Sequence, residues 1–170
     1  MGISLYPSTV TLPPAKAPYP NILEFLSRRF PRIQSERWRE RLATGKILDA
    51  AGHPITEATP YLPYIKIYYF RELDIEQNIP FAEKILFQNA ELLVACKPHF
   101  LPVIPSGRYV TESLLHRLRK TTGNADLVPI HRIDRETAGL VLFSVNKNTR
   151  GLYQQLFAQG NVENTYQAIA

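Results

Sequence analysis

His131-Arg132-Ile133-Asp134-Arg135-Glu136-Thr137-Ala138-Gly139-Leu140 is the densest run of functional side chains in the 170-residue chain. Candidate strands at 128–133 and 140–145 overlap its two ends. With 128–134 as a strand, the period of two puts Arg132 and Asp134 on one face and His131 and Ile133 on the other. A carboxylate beside a guanidinium stays ionised at neutral pH, which suits a nucleophile or a base better than a general acid. Gly139 permits a tight turn into the following strand, holding the carboxylate at a strand end. The same residues also describe a salt-bridged strand end without chemistry, and both readings stay open on this stretch alone.

Toward the C-terminus, 149–158 reads as a helix with Leu152, Tyr153, Leu156 and Phe157 on one side, ended by Gly160, and 162–169 alternates as a strand. Toward the N-terminus, 84–87 and 92–95 read as strands about a turn at Asn89. Thr111 is placed to cap a helix over 112–122, with Leu114, Leu115 and Leu118 inward and Arg117, Arg119 and Lys120 outward. Before a linker near 74–80 lies a smaller unit, 21–75. There Asn21 and Glu24 make a capping box, Pro31 stops the first helix, and Ser35 caps a second running to Leu42 with Gly45 beyond it. Strands at 46–48 and 65–70 surround a turn at 52–54. Residues 1–20, with prolines at 7, 13, 14, 18 and 20, read as an extended leader without a core of its own. The fold class expected is α+β: a small helical/β unit, then a mixed, mainly antiparallel sheet with flanking helices. A last strand that runs straight to Ala170 leaves an exposed sheet edge, so a chain cut short and self-association through that edge are expected.

Apolar residues make up 45% of the chain, ample for a core, and the net charge is +5. Arg28, Arg29, Arg32, Arg37, Arg39, Arg41 and Lys46 face only Glu36 and Glu40 between positions 28 and 46, so this stretch carries the whole excess. A localised basic stripe suits a polyanion, because neutralising phosphates releases counterions; a solvated helix face with ion pairs is the plainer reading. Cys96 stands alone, which excludes a disulfide framework and fits a reducing compartment. No apolar run reaches the roughly 18 residues of a membrane span, and the start lacks the basic and apolar regions of a secretory signal. A cytoplasmic protein is expected. His53, His99 and His116 have no metal-ligand spacing, and no phosphate-binding or dinucleotide glycine pattern occurs, so neither a metal nor a nucleotide cofactor is expected.

The run 131–140 resembles the signature around the catalytic aspartate of RluA-type pseudouridine synthases, normally H-R-L-D-x-x-T-S-G-L. Two other stretches are similar in the right order. Ile85-Leu86-Phe87, Leu92 through Pro98 and then Leu101-Pro102-Val103 resemble an opening motif that ends N-K-P-x-G-L-P-V, and 162–168, with Tyr166 and Ala168, resembles K-x-Y-x-A with Asn164 in place of Lys. Residues 22–56, with Phe25-Leu26, Arg29-Phe30-Pro31, Trp38 and Gly45, are similar to the alpha-L RNA-binding domain that precedes many such enzymes. The resemblance implies an RNA substrate, ribosomal or transfer, and a cofactor-free isomerisation. It makes Asp134 the nucleophile, Arg132 the side chain that fills the gap left by a flipped uridine, and Tyr166 a platform for the uracil. It also implies a catalytic domain of which 80–170 is the first part, since the family's G-R-x-H-Q segment is not found before Ala170.

A non-catalytic RNA-binding protein with a decayed or incomplete synthase domain is the rival from another class. A glycoside hydrolase would need a second carboxylate near Asp134, for which Glu136 is the local candidate. His131 is expected to be structural, and Trp38 to anchor the core of the first unit.

Overall fold

The computed structural model describes residues 2–4, 6–14 and 19–168. In chain order the elements are β1 (Gly2–Ile3), β2 (Ser8–Thr11), α1 (Ile22–Arg29), α2 (Ser35–Ala43), β3 (Ile47–Leu48), β4 (Lys66–Tyr69), β5 (Glu72–Leu73), β6 (Lys84–Gln88), β7 (Leu92–Lys97), α3 (Leu114–Thr122), β8 (Val128–Pro129), β9 (Gly139–Ser144) and α4 (Arg150–Ala158). Helices and antiparallel sheets are mixed without a βαβ rhythm, the α+β class expected. The chain divides into two compact units, Ser4–Arg71 and Glu72–Ala170, the latter joined by the first three residues. β1 accordingly pairs with β5.

In the smaller unit, Asn21 caps α1, its side-chain oxygen accepting from the Glu24 N–H at 2.9 Å. α2 starts one residue from the expected cap, with Gln34 in that position and no side-chain cap bond. Both helices lay an apolar stripe on a three-stranded sheet of order β2-β4-β3. Trp38 is fully buried there, with Phe25, Leu26, Ile47 and Ile67. The stretch expected to be a leader without a core departs from that reading. Ser8–Thr11 pairs along β4, and Leu12 is fully buried in the same core. A β-branched, alternating Thr9-Val10-Thr11 supplies the ladder that β4 needs on its second side, and this outweighs the surrounding prolines. Residues 15–18 of that stretch lie outside the described residues.

The larger unit is built on an antiparallel sheet of order β6-β7-β9-β8. Asn89 makes the β6–β7 turn, its side chain accepting from the N–H groups of Glu91 and Leu92, both at 2.8 Å. β7 and β9 pair in register from Leu92↔Ser144 to Lys97↔Gly139. Alternation then points Leu93 and Ala95 of β7, with Val141 and Phe143 of β9, into one core with Leu114, Leu115 and Leu118 of α3. Each leucine, valine or phenylalanine among them contributes about 1.5–3 kcal/mol when withdrawn from water. Ser113, not Thr111, caps α3, and Gly123 ends it in the left-handed region. Arg117, expected to point outward, is mostly buried: it pairs with Glu83 at 3.0 Å and Glu112 at 2.5 Å and donates to the carbonyls of Ile79 and Phe81.

Of the expected strands, the one at 128–133 is cut short and the one at 162–169 is not formed over its described residues. β8 stops at Pro129, because the ladder is broken one step later. The Ile130 N–H still donates to the Leu142 carbonyl at 2.8 Å, but the Leu142 N–H is taken at 3.1 Å by the His131 ring instead of by backbone. Residues 161–168 have no strand beside them and run irregularly; Ile169 and Ala170 lie outside the described residues. The described edges of this sheet are therefore β6 and β8, not a strand at the chain end. No helix among the described residues is long and apolar enough to cross a membrane.

Candidate active site

The nine residues between β8 and β9 form an irregular segment that is tied down at several points. His131 holds its start, the imidazole Nε2 accepting from Leu142 while the ring stacks on Phe157 at 4.8 Å. Burial pulls the His131 pKa below its ordinary value, which keeps the ring neutral with its proton on Nδ1. Further on, the Lys97 ammonium donates to the Arg135 carbonyl at 3.1 Å, and His99 Nδ1 donates to the Glu136 carbonyl at 2.6 Å. Arg135 donates to the Tyr109 hydroxyl at 3.2 Å. Gly139, at φ 140, then turns the chain into β9 with a backbone that a side chain would strain.

Asp134 lies between these anchors and is exposed. Its own carbonyl accepts from the Thr137 N–H at 3.2 Å. Asp134, Arg132, Ile133 and Arg135 line a cleft of about 620 Å³, whose other wall is Pro102, Val103, Ile104 and Ser106. The strand geometry that put Arg132 and Asp134 on one face is absent; the segment curls, and both residues reach the cleft anyway. The paired guanidinium nearest in sequence to Asp134 is that of Arg135, bound to Glu136 at 2.5 Å. Its own backbone N–H and then Arg135 hold the Glu136 carboxyl below the usual range, the opposite of what a proton donor in glycoside hydrolysis needs.

Tyr166 stands elsewhere. It lines a second cleft, about 870 Å³, with His99, His131, Leu140, Phe157 and Asn164; Ile133 is the residue the two clefts share. At 66% exposure its ring is open to solvent.

In the smaller unit Arg28, Arg29, Arg32 and Arg39 are exposed, and Arg37 and Lys46 are half-buried. Arg28 pairs with Glu24, Arg37 with Glu40, and Arg39 with Glu36 and Glu57. Arg41 does not fit the expected phosphate-facing stripe: it is 4% exposed, with its guanidinium 4.8 Å from the centre of the Trp38 ring. Position 41 falls on the helix face that packs inward beside Trp38, so its charge is held by the aromatic ring.

In the sequence Lys97 figures only inside the stretch that resembles the opening motif, and its part in the site is not evident from that motif. The signal was present: in Leu92–Lys97 the alternation that buries Leu93 and Ala95 also turns Lys97 inward. No such signal marked His99 or Tyr109. Among the described residues no group of three or more potential ligands could hold a metal ion.

The pattern of the RNA pseudouridylate synthase family matches positions 91–170, which include the whole anchored segment between β8 and β9. Residues 91–170 are thus similar in sequence to that family. Among pseudouridine synthases, an uncharacterised RNA pseudouridine synthase of Synechocystis is 29% identical over 121 residues, covering 71% of this chain and 41% of the relative. The tRNA pseudouridine synthase C of Haemophilus ducreyi is 37% identical over 87 residues, 50% of this chain and 35% of the relative. Among solved structures, human RNA pseudouridylate synthase domain containing 4 matches 45% of this chain and 30% of its own, at 31% identity and a TM-score of 0.37. The chain thus spans about two fifths of the first relative's length.

Proposed function

We propose that this protein presents Asp134 as the nucleophile of a cytoplasmic RNA pseudouridine synthase acting on a uridine of ribosomal or transfer RNA. The observation that carries the reading is the exposed Asp134 on a segment anchored on both sides, inside the stretch that matches the synthase family's pattern. The reaction breaks the bond from C1′ of the ribose to N1 of uracil and forms one from C1′ to C5. C5 loses a proton and N1 gains one, with no change of oxidation state, so an ionised carboxylate on a rigid support is the group the chemistry asks for. The uridine must leave the stack to reach Asp134; Arg132, in the same cleft, fills the vacated space, and Tyr166 offers a face to the uracil. Residues 21–75 serve as an alpha-L-like RNA-docking domain, with Arg28, Arg29, Arg32, Arg37, Arg39 and Lys46 toward phosphates, and 80–170 as part of the catalytic domain.

Pseudouridine formed on total RNA, counted by mass spectrometry, tests this with wild type and Asp134→Asn. Formation by wild type and a loss of more than about 10³-fold in the variant are expected. Because the side chain is exposed, Asp134→Asn should unfold within about 0.5 kcal/mol of wild type. RNA binding by both proteins with no isomerisation by either would sink the synthase reading and leave a binding module.

A further inference from the structure

Phe100 has a φ of 67°, one of two non-glycine residues among those described with positive φ; the other, Tyr64, is in the smaller unit. Glycine is the ordinary occupant of that region, and the motif that 85–103 resembles has Gly just before Leu-Pro-Val. A bulky aromatic residue there is a backbone outlier whose cost something must offset. Packing does not offset it, since the ring is 47% exposed. It lies 6.3 Å from the half-exposed ring of Phe81 and 6.0 Å from that of His99, so three rings sit side by side at the surface. The turn that carries them is held firmly. Lys97 donates to the carbonyls of Pro98 at 3.0 Å and Leu101 at 2.8 Å, on either side of Phe100. The same ammonium and the His99 ring also grip the Asp134 segment through Arg135 and Glu136. His99 lines the second cleft with Tyr166, so the row of rings continues the candidate site.

We infer that Phe100, supported by Phe81, is a stacking platform for an unpaired RNA base close to the target uridine. This rests on the RNA-substrate reading and adds a subsite to it. A planar, strained, exposed ring on a rigid turn fits a nucleobase face, because stacking needs only a flat apolar surface at a fixed position, and Arg132 and Arg135 on the neighbouring segment meet the accompanying phosphates.

The test uses the full chain and a short single-stranded uridine-rich RNA containing one 2-aminopurine, whose fluorescence falls when it stacks. Wild type is expected to quench it. Phe100→Gly, which relieves the backbone as it removes the ring, should melt no lower than wild type yet bind roughly five- to a hundredfold more weakly without quenching. Phe100→Tyr should retain quenching, and an abasic site in place of the 2-aminopurine should erase the difference between wild type and Phe100→Gly. Equal quenching and affinity in wild type and Phe100→Gly would overturn the platform, as would an affinity difference that persists on abasic RNA. Loss of self-association in Phe100→Gly with unchanged RNA binding would also overturn it, making the patch a protein contact. Quenching by a wild type that never forms pseudouridine would count against the synthase reading and leave the platform standing.

Discussion

The ammonium of Lys97 ends a core-facing row and is fully buried, yet it reaches three carbonyls, those of Pro98, Leu101 and Arg135. Burial pushes its pKa down to about 8, with Glu136 drawing it up, Arg135 adding to the fall and Asp134 opposing it, so at neutral pH most of it is still charged. One side chain therefore joins the end of β7, the Phe100 turn and the Asp134 segment. Lys97→Met keeps the length and leaves three acceptors without a donor. A loss of about 2–3 kcal/mol is expected in urea denaturation, and pseudouridine formation should fall further than the remaining folded fraction explains. The carboxylate at 134 was legible from sequence, and its neighbourhood was not. Period-two geometry paired it with Arg132 on a strand face, whereas the chain had already left the sheet at His131, whose ring took the donor that a longer β8 would have used.

α3 is the element that closes the larger core, and its approach is fixed by a residue far back in sequence. Glu76 accepts from the N–H groups of Thr111 and Glu112 at 2.8 and 2.9 Å, from that of Val110 at 2.5 Å, and from the Thr111 hydroxyl at 2.6 Å. Burial alone would raise its pKa, but the Thr111 hydroxyl and the N–H groups of Glu112, Val110 and Thr111 prevail and hold the carboxyl below its ordinary 4.5. A carboxyl depressed in the folded state stabilises fully above its unfolded pKa, and that contribution is lost as pH falls through the folded value. Glu76→Gln should therefore cost about 2 kcal/mol at pH 7, and the gap to wild type should close as pH drops below 4.5. Denaturation curves from pH 7 to 3 measure it; a gap independent of pH would show that shape and not charge matters. At the other extreme α4 buries none of its side chains, so its amides should exchange with deuterium well before those of β7 and β9.

Across the whole molecule the charge is divided unevenly, and the smaller unit carries the cluster of exposed arginines Arg28, Arg29, Arg32 and Arg39. If these meet RNA phosphates, replacing Arg28, Arg29, Arg32 and Arg39 by Gln should lower the slope of log affinity against log salt by about 2–3, at roughly 0.7 for each single-strand phosphate no longer neutralised. Arg41→Gln should leave that slope unchanged and instead destabilise the unit by about 1–2 kcal/mol, since its guanidinium lies over Trp38 in the core. Filter binding at several salt concentrations separates the two behaviours, and an unaltered slope in the fourfold variant would remove the smaller unit from RNA docking.

Local sequence by itself determined what depends on neighbours along the chain. Asn21 with Glu24 starts α1, the run 92–95 marks the strand that becomes β7, Asn89 makes its turn, and the run 131–140 singles out Asp134 through its resemblance to a family signature. Only tertiary structure decided where a pattern would be honoured. Ser8–Thr11 became a strand because β4 had an open side, while 162–168 stayed irregular because no strand stood beside it. The reason is physical: a helix satisfies its backbone within itself, but a strand needs a neighbour. The buried cation Lys97 is likewise held by a group distant in sequence, the Arg135 carbonyl, which only the tertiary structure brings within reach.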